Sequence, residues 1–297
     1  MSHNKEQIQI AVVGDVHNQW DERDEKALQH LGVDLVLFVG DFGNEAVEVV
    51  RQIAGIEIPK AVVMGNHDAW YSASSWGRQK APYDRSVEDR VQQQLDLLGE
   101  SHVGFSKLDF ANYGLSVVGS RPFSWGGSTW RNAQFYSDRY NVKSFAESTQ
   151  KMLISAREAT QDNIIMVGHN GPYGLGNKTE SICGRDWKPD GGDYGDPDLQ
   201  QAISEIRSMG KSVPLVTFGH MHHALKHPSG KRRTIIDVRD DTVYLNAACV
   251  PRVVKSDRGL KRSFSLVSFD RGIVREISLV WLDSDFKIES EEILFSN

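Results

Sequence analysis

The stretch Gly65-Asn66-His67-Asp68 follows Lys60-Ala61-Val62-Val63-Met64, an apolar run of strand character. The junction sets an amide, an imidazole and a carboxylate at the C-terminal tip of a buried strand. Open α/β sheets keep their ligand sites at that edge. Alone it could equally be a surface turn, because Gly-Asn is ordinary turn chemistry. What decides the reading is whether other strands deliver matching groups to the same place.

Four others do. Ile8–Val13 reads as a strand and ends in Gly14-Asp15-Val16-His17, with Asp15 and His17 two apart and so pointing the same way in extended backbone. Asp34–Val39 ends in Gly40-Asp41, Asn163–Val167 in Gly168-His169-Asn170, and Val213–Phe218 in Gly219-His220-Met221-His222-His223. These runs are almost wholly apolar, as expected when both faces of a sheet are covered. Helices are expected over 21–31, 44–54, 85–98 and 198–208, the last opened by Asp196 as cap and Pro197 at its first position. Further strand-like runs lie at 102–110 and 115–120. The aromatic segments 70–84 and 121–145 read as ordered loops able to wall a pocket or stack a planar group. Short alternating runs at 233–238, 242–247, 263–269 and 272–281, within a C-terminal region 231–292, suggest an antiparallel finishing sheet. No repeat or linker interrupts the chain, so 1–297 is expected to be a single domain with an insertion around 121–145.

Composition agrees with a globular protein: 297 residues, 39% hydrophobic and 25% charged. A net charge of -6 argues against binding a nucleic-acid polymer through a basic surface. The two cysteines, Cys183 and Cys249, have neither disulfide-framework nor zinc-ribbon spacing. There is no apolar run of ~18 residues, so no membrane span is expected. The polar opening Met1–Gln7 lacks a signal-peptide core, so a cytoplasmic location is expected.

The strand-end groups are Asp15, His17, Asp41, Asn66, His67, His169, His220 and His222. Nitrogen and oxygen donors without thiolates suit manganese, iron or zinc, and several histidines disfavour a pure magnesium or calcium site. The set exceeds the three or four ligands of one zinc ion. It fits two divalent ions sharing a carboxylate, the usual apparatus for attacking a phosphate ester.

In this order, Gly14-Asp15-Val16-His17, Gly40-Asp41, Gly65-Asn66-His67-Asp68, Gly168-His169 and Gly219-His220-Met221-His222 resemble the five blocks of the calcineurin-like metallophosphoesterase superfamily. The phrases Asp41-Phe42-Gly43-Asn44-Glu45, Gly65 to Tyr71 and Gly219 to His223 are similar to a branch associated with cyanobacteria and plant plastids. The resemblance implies an α/β fold of four α-β-β-α layers with a dinuclear centre at the strand ends. It implies that Asp15, His17 and His222 bind one metal, that Asn66, His169 and His220 bind the other, and that Asp41 bridges. Manganese is the expected pair, with iron or zinc as alternatives. It further implies in-line attack by a metal-bridging hydroxide, with His67 as general acid and Asp68 orienting its imidazole.

One departure narrows the activity. The superfamily's protein Ser/Thr phosphatases continue the second block with Asp-Arg-Gly, whereas this chain has Asp41-Phe42-Gly43 and no arginine there. A small or nucleotide-like phosphate ester is therefore the expected substrate. The alternatives are a catalytically weak metal-bearing binding scaffold and a phosphoprotein phosphatase. Asn170, Arg121, Arg131 and Arg185 are the candidate substrate contacts.

Overall fold

The computed structural model describes residues 7–257 and 259–297; the polar opening segment read above lies, apart from Gln7, outside the described residues. Its strands are β1 (Gln7–Val13), β2 (Leu35–Phe38), β3 (Lys60–Val62), β4 (Lys107–Phe110), β5 (Leu115–Gly119), β6 (Asn163–Val167), β7 (Ser212–Phe218), β8 (Ile236–Arg239), β9 (Thr242–Asn246), β10 (Val253–Ser256), β11 (Gly259–Asp270), β12 (Ile273–Leu282) and β13 (Ile288–Ser296). Its helices are α1 (Glu22–His30), α2 (Val47–Gly55), α3 (Ser75–Gln79), α4 (Arg90–Leu98), α5 (Ala133–Tyr140), α6 (Phe145–Glu158) and α7 (Pro197–Ser208).

Two sheets result. One has the order β13-β12-β11-β1-β2-β3, with β10 beside β11; the other has the order β4-β5-β6-β7-β9-β8. The middle strands β1-β2-β3 and β5-β6-β7-β9 run parallel, so their C-terminal ends, and the loops that follow, gather on one edge of each sheet.

The period of two along β1 builds the layers. Ile8, Ile10 and Val12 face the other sheet, where they join Val117, Ile165, Leu215 and Leu245. Ala11 and Val13 face outward and are covered by Ala27 and Leu28 of α1 and Val50 and Ile53 of α2. On the far side, Met152 and Leu153 of α6 and Ile203 and Ile206 of α7 cover Ile164, Met166 and Val216. Each central strand is thus apolar on both faces, and the architecture is the four-layer α-β-β-α arrangement.

Three readings of the sequence change. The C-terminal runs do not make a finishing sheet of their own: β9 pairs parallel with β7, while β11 pairs antiparallel with β1, so they complete both sheets. The helix expected at 85–98 begins at Arg90, where Asp89 caps it by accepting from the Gln92 amide at 2.9 Å; Val87 is 81% exposed and outside it. Asp196 precedes α7 and Pro197 opens it, but the Asp196 carboxylate makes no cap bond; its Oδ1 instead accepts from Arg121 Nη2 at 2.8 Å and Ser124 Oγ at 2.9 Å.

Candidate metal centre

Loops leaving the parallel strands are stitched together before any side chain is considered. Asp15 N–H donates to Gly40 O at 3.0 Å, His17 N–H to Asp41 O at 2.9 Å and Asn18 N–H to Phe42 O at 2.8 Å. Asp15, His17, Asp41 and His220 all have left-handed φ, between 45° and 66°. That region is uncommon for residues with a side chain, although Asp and His enter it more readily than most. Gly65 serves by its size: a Cβ there would lie 2.2 Å from Asp41 Oδ1.

These turns bring the carboxylates and imidazoles together. His222 Nε2 is 3.4 Å from Asp15 Oδ1 and 3.3 Å from His17 Nε2. His169 Nε2 is 3.3 Å from Asp41 Oδ1, 2.9 Å from Asn66 Oδ1 and 3.2 Å from His220 Nδ1. Two compact ligand groups follow, Asp15–His17–His222 and Asp41–His169–His220. A third, His17–Asp41–His67, links them through Asp41.

The donors fit cations. His169 Nδ1–H donates to Val39 O at 2.7 Å, so Nε2 presents only a lone pair. That lone pair faces the carbonyl oxygen of Asn66 and the carboxylate of Asp41. Three acceptors aimed at one another repel, and a divalent ion among them removes the repulsion. Asp15 Oδ1 is likewise buried without a hydrogen-bond partner. Burial, with the charges of Asp15 and Asp68, pushes the Asp41 carboxyl well above the ordinary range. A cation at the site reverses that penalty.

His67 stands at the rim, its side chain 28% exposed. Its Nε2 is 3.9 Å from Asp41 Oδ2, and its Nδ1–H donates to Asn44 Oδ1 at 2.5 Å. Burial, then the neighbouring His17 and His169, lower its pKa to about 4.

The expected role of Asp68 is corrected by this arrangement. Its carboxylate does not reach His67, whose orienting partner is Asn44. Instead Asp68, fully buried, accepts from the amides of Gly65 at 2.6 Å, Asp41 at 3.0 Å and Phe42 at 2.8 Å. It locks the loop after β2 to the loop after β3.

The candidate substrate contacts divide. Arg121 is 4% exposed, with Nε 2.8 Å from Asp198 and Nη2 2.8 Å from Asp196; it is a buried ion-pair residue and does not line the cavity over the metal centre. Asn170 is fully buried, donates to Tyr194 O at 2.8 Å and so holds the loop, and it does not line the cavity over the metal centre. Arg185 donates to Gly191 O and does not line the cavity over the metal centre. Arg131 does line it, with Trp70, Trp125, Trp187, Tyr194 and Lys226.

Other residues at the site escaped sequence reasoning. Arg233, 3% exposed, donates from Nε to His222 O at 3.0 Å and from Nη1 to the carbonyls of Thr179 and Ser181 at 3.1 and 3.0 Å and of Gly184. With Asp186 at 3.5 Å, it ties the loop bearing Trp187 to the loop bearing His222. In the run Lys231-Arg232-Arg233 nothing distinguishes it from solvated neighbours. Glu45, 1% exposed, accepts from the Tyr71 amide at 2.8 Å and from the Tyr83 hydroxyl, fixing the aromatic loop beside His67.

A family model described as calcineurin-like phosphoesterase matches residues 8–224, which include all of these strand ends. The chain belongs to the calcineurin-like phosphoesterase family. It is accordingly a hydrolase of phosphate esters, from a family that works with two metal ions. No curated protein matches the sequence at a significant level. One solved structure, 10% identical, aligns over 97% of this chain and 100% of its own with a TM-score of 0.52, which supports the fold. A dimetal phosphatase from Danio rerio is 10% identical over 98% of this chain and 99% of its own, with a TM-score of 0.48. A novel archaeal phosphodiesterase is 10% identical over 97% of this chain and 100% of its own, with a TM-score of 0.35. Among the described residues of this phosphoesterase, no helix is long and apolar enough to cross a membrane.

Proposed function

We propose that the protein hydrolyses a small or nucleotide-like phosphate ester in the cleft above Asp41, with His67 delivering the proton to the leaving oxygen. The observation that carries this reading is the convergence of acceptor atoms around His169 Nε2, including Asp41 Oδ1, with a rim imidazole, His67, 3.9 Å from the other oxygen of the same carboxylate, Asp41 Oδ2. Asp15, His17 and His222 would hold one ion and Asn66, His169 and His220 the other, with Asp41 shared because its oxygens belong to two ligand groups. A bound pair of divalent ions, manganese in this proposal and iron or zinc as alternatives, supplies charge compensation and an activated water for in-line displacement.

The chain's own residues do the rest. Asn44 holds the proton on His67 Nδ1, so Nε2 is the atom that meets the substrate. The negative charge of an incoming phosphate favours the imidazolium there. Nε2–H then passes to the departing alkoxide, a contribution of about 10²–10⁴-fold. The absence of an arginine after Asp41 supports a small substrate over a phosphoprotein. Arg131 and Lys226 at the rim are the cations placed to meet additional negative charge.

The test is hydrolysis of p-nitrophenyl phosphate and bis-p-nitrophenyl phosphate by manganese-reconstituted protein. Turnover of either above the buffer rate, abolished by chelation, is expected. No turnover of both would sink the proposal.

A further inference from the structure

The cavity beside the candidate metal centre encloses about 450 Å³, within the range of sites that bury a ligand of nucleotide or drug size. Its walls are aromatic. The His67 ring lies flat on Trp70, with centroids 4.4 Å apart and planes 13° apart, and Trp70 lies nearly parallel to Trp125 at 5.4 Å and 22°. Trp187 meets Tyr194 edge to face at 4.6 Å and 88°. Tyr194 in turn packs over Gly126 and Gly127, where any side chain would strike its ring, so the two aromatic groups adjoin.

Trp187 is the unusual member. It is 40% exposed, yet its position is built. The preceding Asp186 is 5% exposed, pairs with Arg233 and accepts from the Lys226 amide at 2.6 Å. A large apolar ring is thus held open at the mouth of the cavity by a buried polar anchor. Beside it the side chains of Arg131 and Lys226 are exposed, and neither makes a hydrogen bond or ion pair among the described residues.

We propose that this cavity takes a nucleotide, its phosphate at the metal centre and its base against Trp187 and the adjoining rings. The proposal rests on the hydrolase reading above and adds the substrate class. Every base has a π-face, so a ring wall selects bases as a class without reading their edges. The free cations meet phosphate charge that the centre does not bind. A bare sugar phosphate would satisfy the centre and leave the ring wall wet.

The matched probes are adenosine 5′-monophosphate and ribose 5-phosphate, which differ only in the base. Each is measured as an inhibitor of p-nitrophenyl phosphate hydrolysis by the manganese-loaded full chain. The nucleotide should inhibit at least about tenfold more tightly, from the energy of one base–aromatic stack. Trp187→Ala should erase about tenfold of that preference and move the ribose 5-phosphate constant less than about twofold; Trp187→Phe should restore most of it. Equal inhibition by the two probes, a preference indifferent to Trp187→Ala, or tighter inhibition by O-phosphotyrosine than by the nucleotide would overturn the proposal. If p-nitrophenyl phosphate is not turned over, the hydrolase reading fails separately, and calorimetric binding of the same two probes still decides whether the base is preferred.

Discussion

Replacing Asp68 by alanine separates two ways in which the His67 region can work. If Asp68 oriented His67, the variant would lose rate and little else. The structure places it instead beneath the amides of Gly65, Asp41 and Phe42, with no solvent access. Removing the carboxylate strands three buried N–H donors, each costing about 1–3 kcal/mol. Relief of a buried carboxyl, whose pKa burial pushes up to about 7, offsets part of this. We therefore expect about 3–5 kcal/mol of lost stability for Asp68→Ala, and less for Asp68→Asn, which keeps one acceptor oxygen. The loops bearing Asp41 and Asn66 would loosen together, so manganese affinity should fall by about 10- to 100-fold, as for other residues that orient metal ligands. The assays are urea unfolding of the metal-free protein and titration calorimetry with manganese, each repeated in a His67→Ala background. The stability and affinity losses should be undiminished there. A variant with unchanged stability and metal affinity, whose kinetic defect vanishes once His67 is gone, would refute this reasoning.

Other substitutions probe the supports of the site. Arg233→Met leaves Asp186 buried without its cation and should destabilise the protein by about 3–5 kcal/mol in urea unfolding; a loss under about 0.5 kcal/mol, the size of an ordinary surface substitution, would contradict the assigned tie between the two loops. Arg121→Met should cost a similar amount by stranding Asp196 and Asp198, yet KM measured per folded molecule should stay within about threefold, less than the loss of one charge-assisted hydrogen bond. A large KM rise with intact stability would return Arg121 to the substrate site. Asn66→Ala should weaken one of two manganese sites by ~10-fold or more and leave the other, read by calorimetry.

What the sequence disclosed follows from where each signal resides. The ligand-bearing strands are legible because each is an apolar run with its chemistry within two or three residues of a glycine at its end. The partnership of the C-terminal strands is not local: alternation in 242–247 and 263–269 looks alike, but β9 extends one sheet beyond β7 and β11 extends the other beyond β1. β13 hides for a different reason, since its Glu289, Glu291 and Glu292 give an exposed edge strand the look of a charged tail. At the site, the ligand set is readable from residue type, whereas the supports depend on approach across the fold. Asn44 and Glu45 look like the start of α2, but the helix begins at Val47 because the site uses both of them. Arg121, Arg131 and Arg233 are indistinguishable by type; burial and partners assign the first to an ion-pair network, the second to the rim and the third to a loop tie.

The most direct test of the central claim is metal content and turnover measured on the same preparation of His67→Ala. The account predicts two manganese ions retained per chain and a rate lower by about 10²–10⁴-fold, because His67 faces the centre from its rim and acts on the leaving oxygen. A variant that loses a metal ion, or that keeps both and turns over at the parent rate, would contradict it.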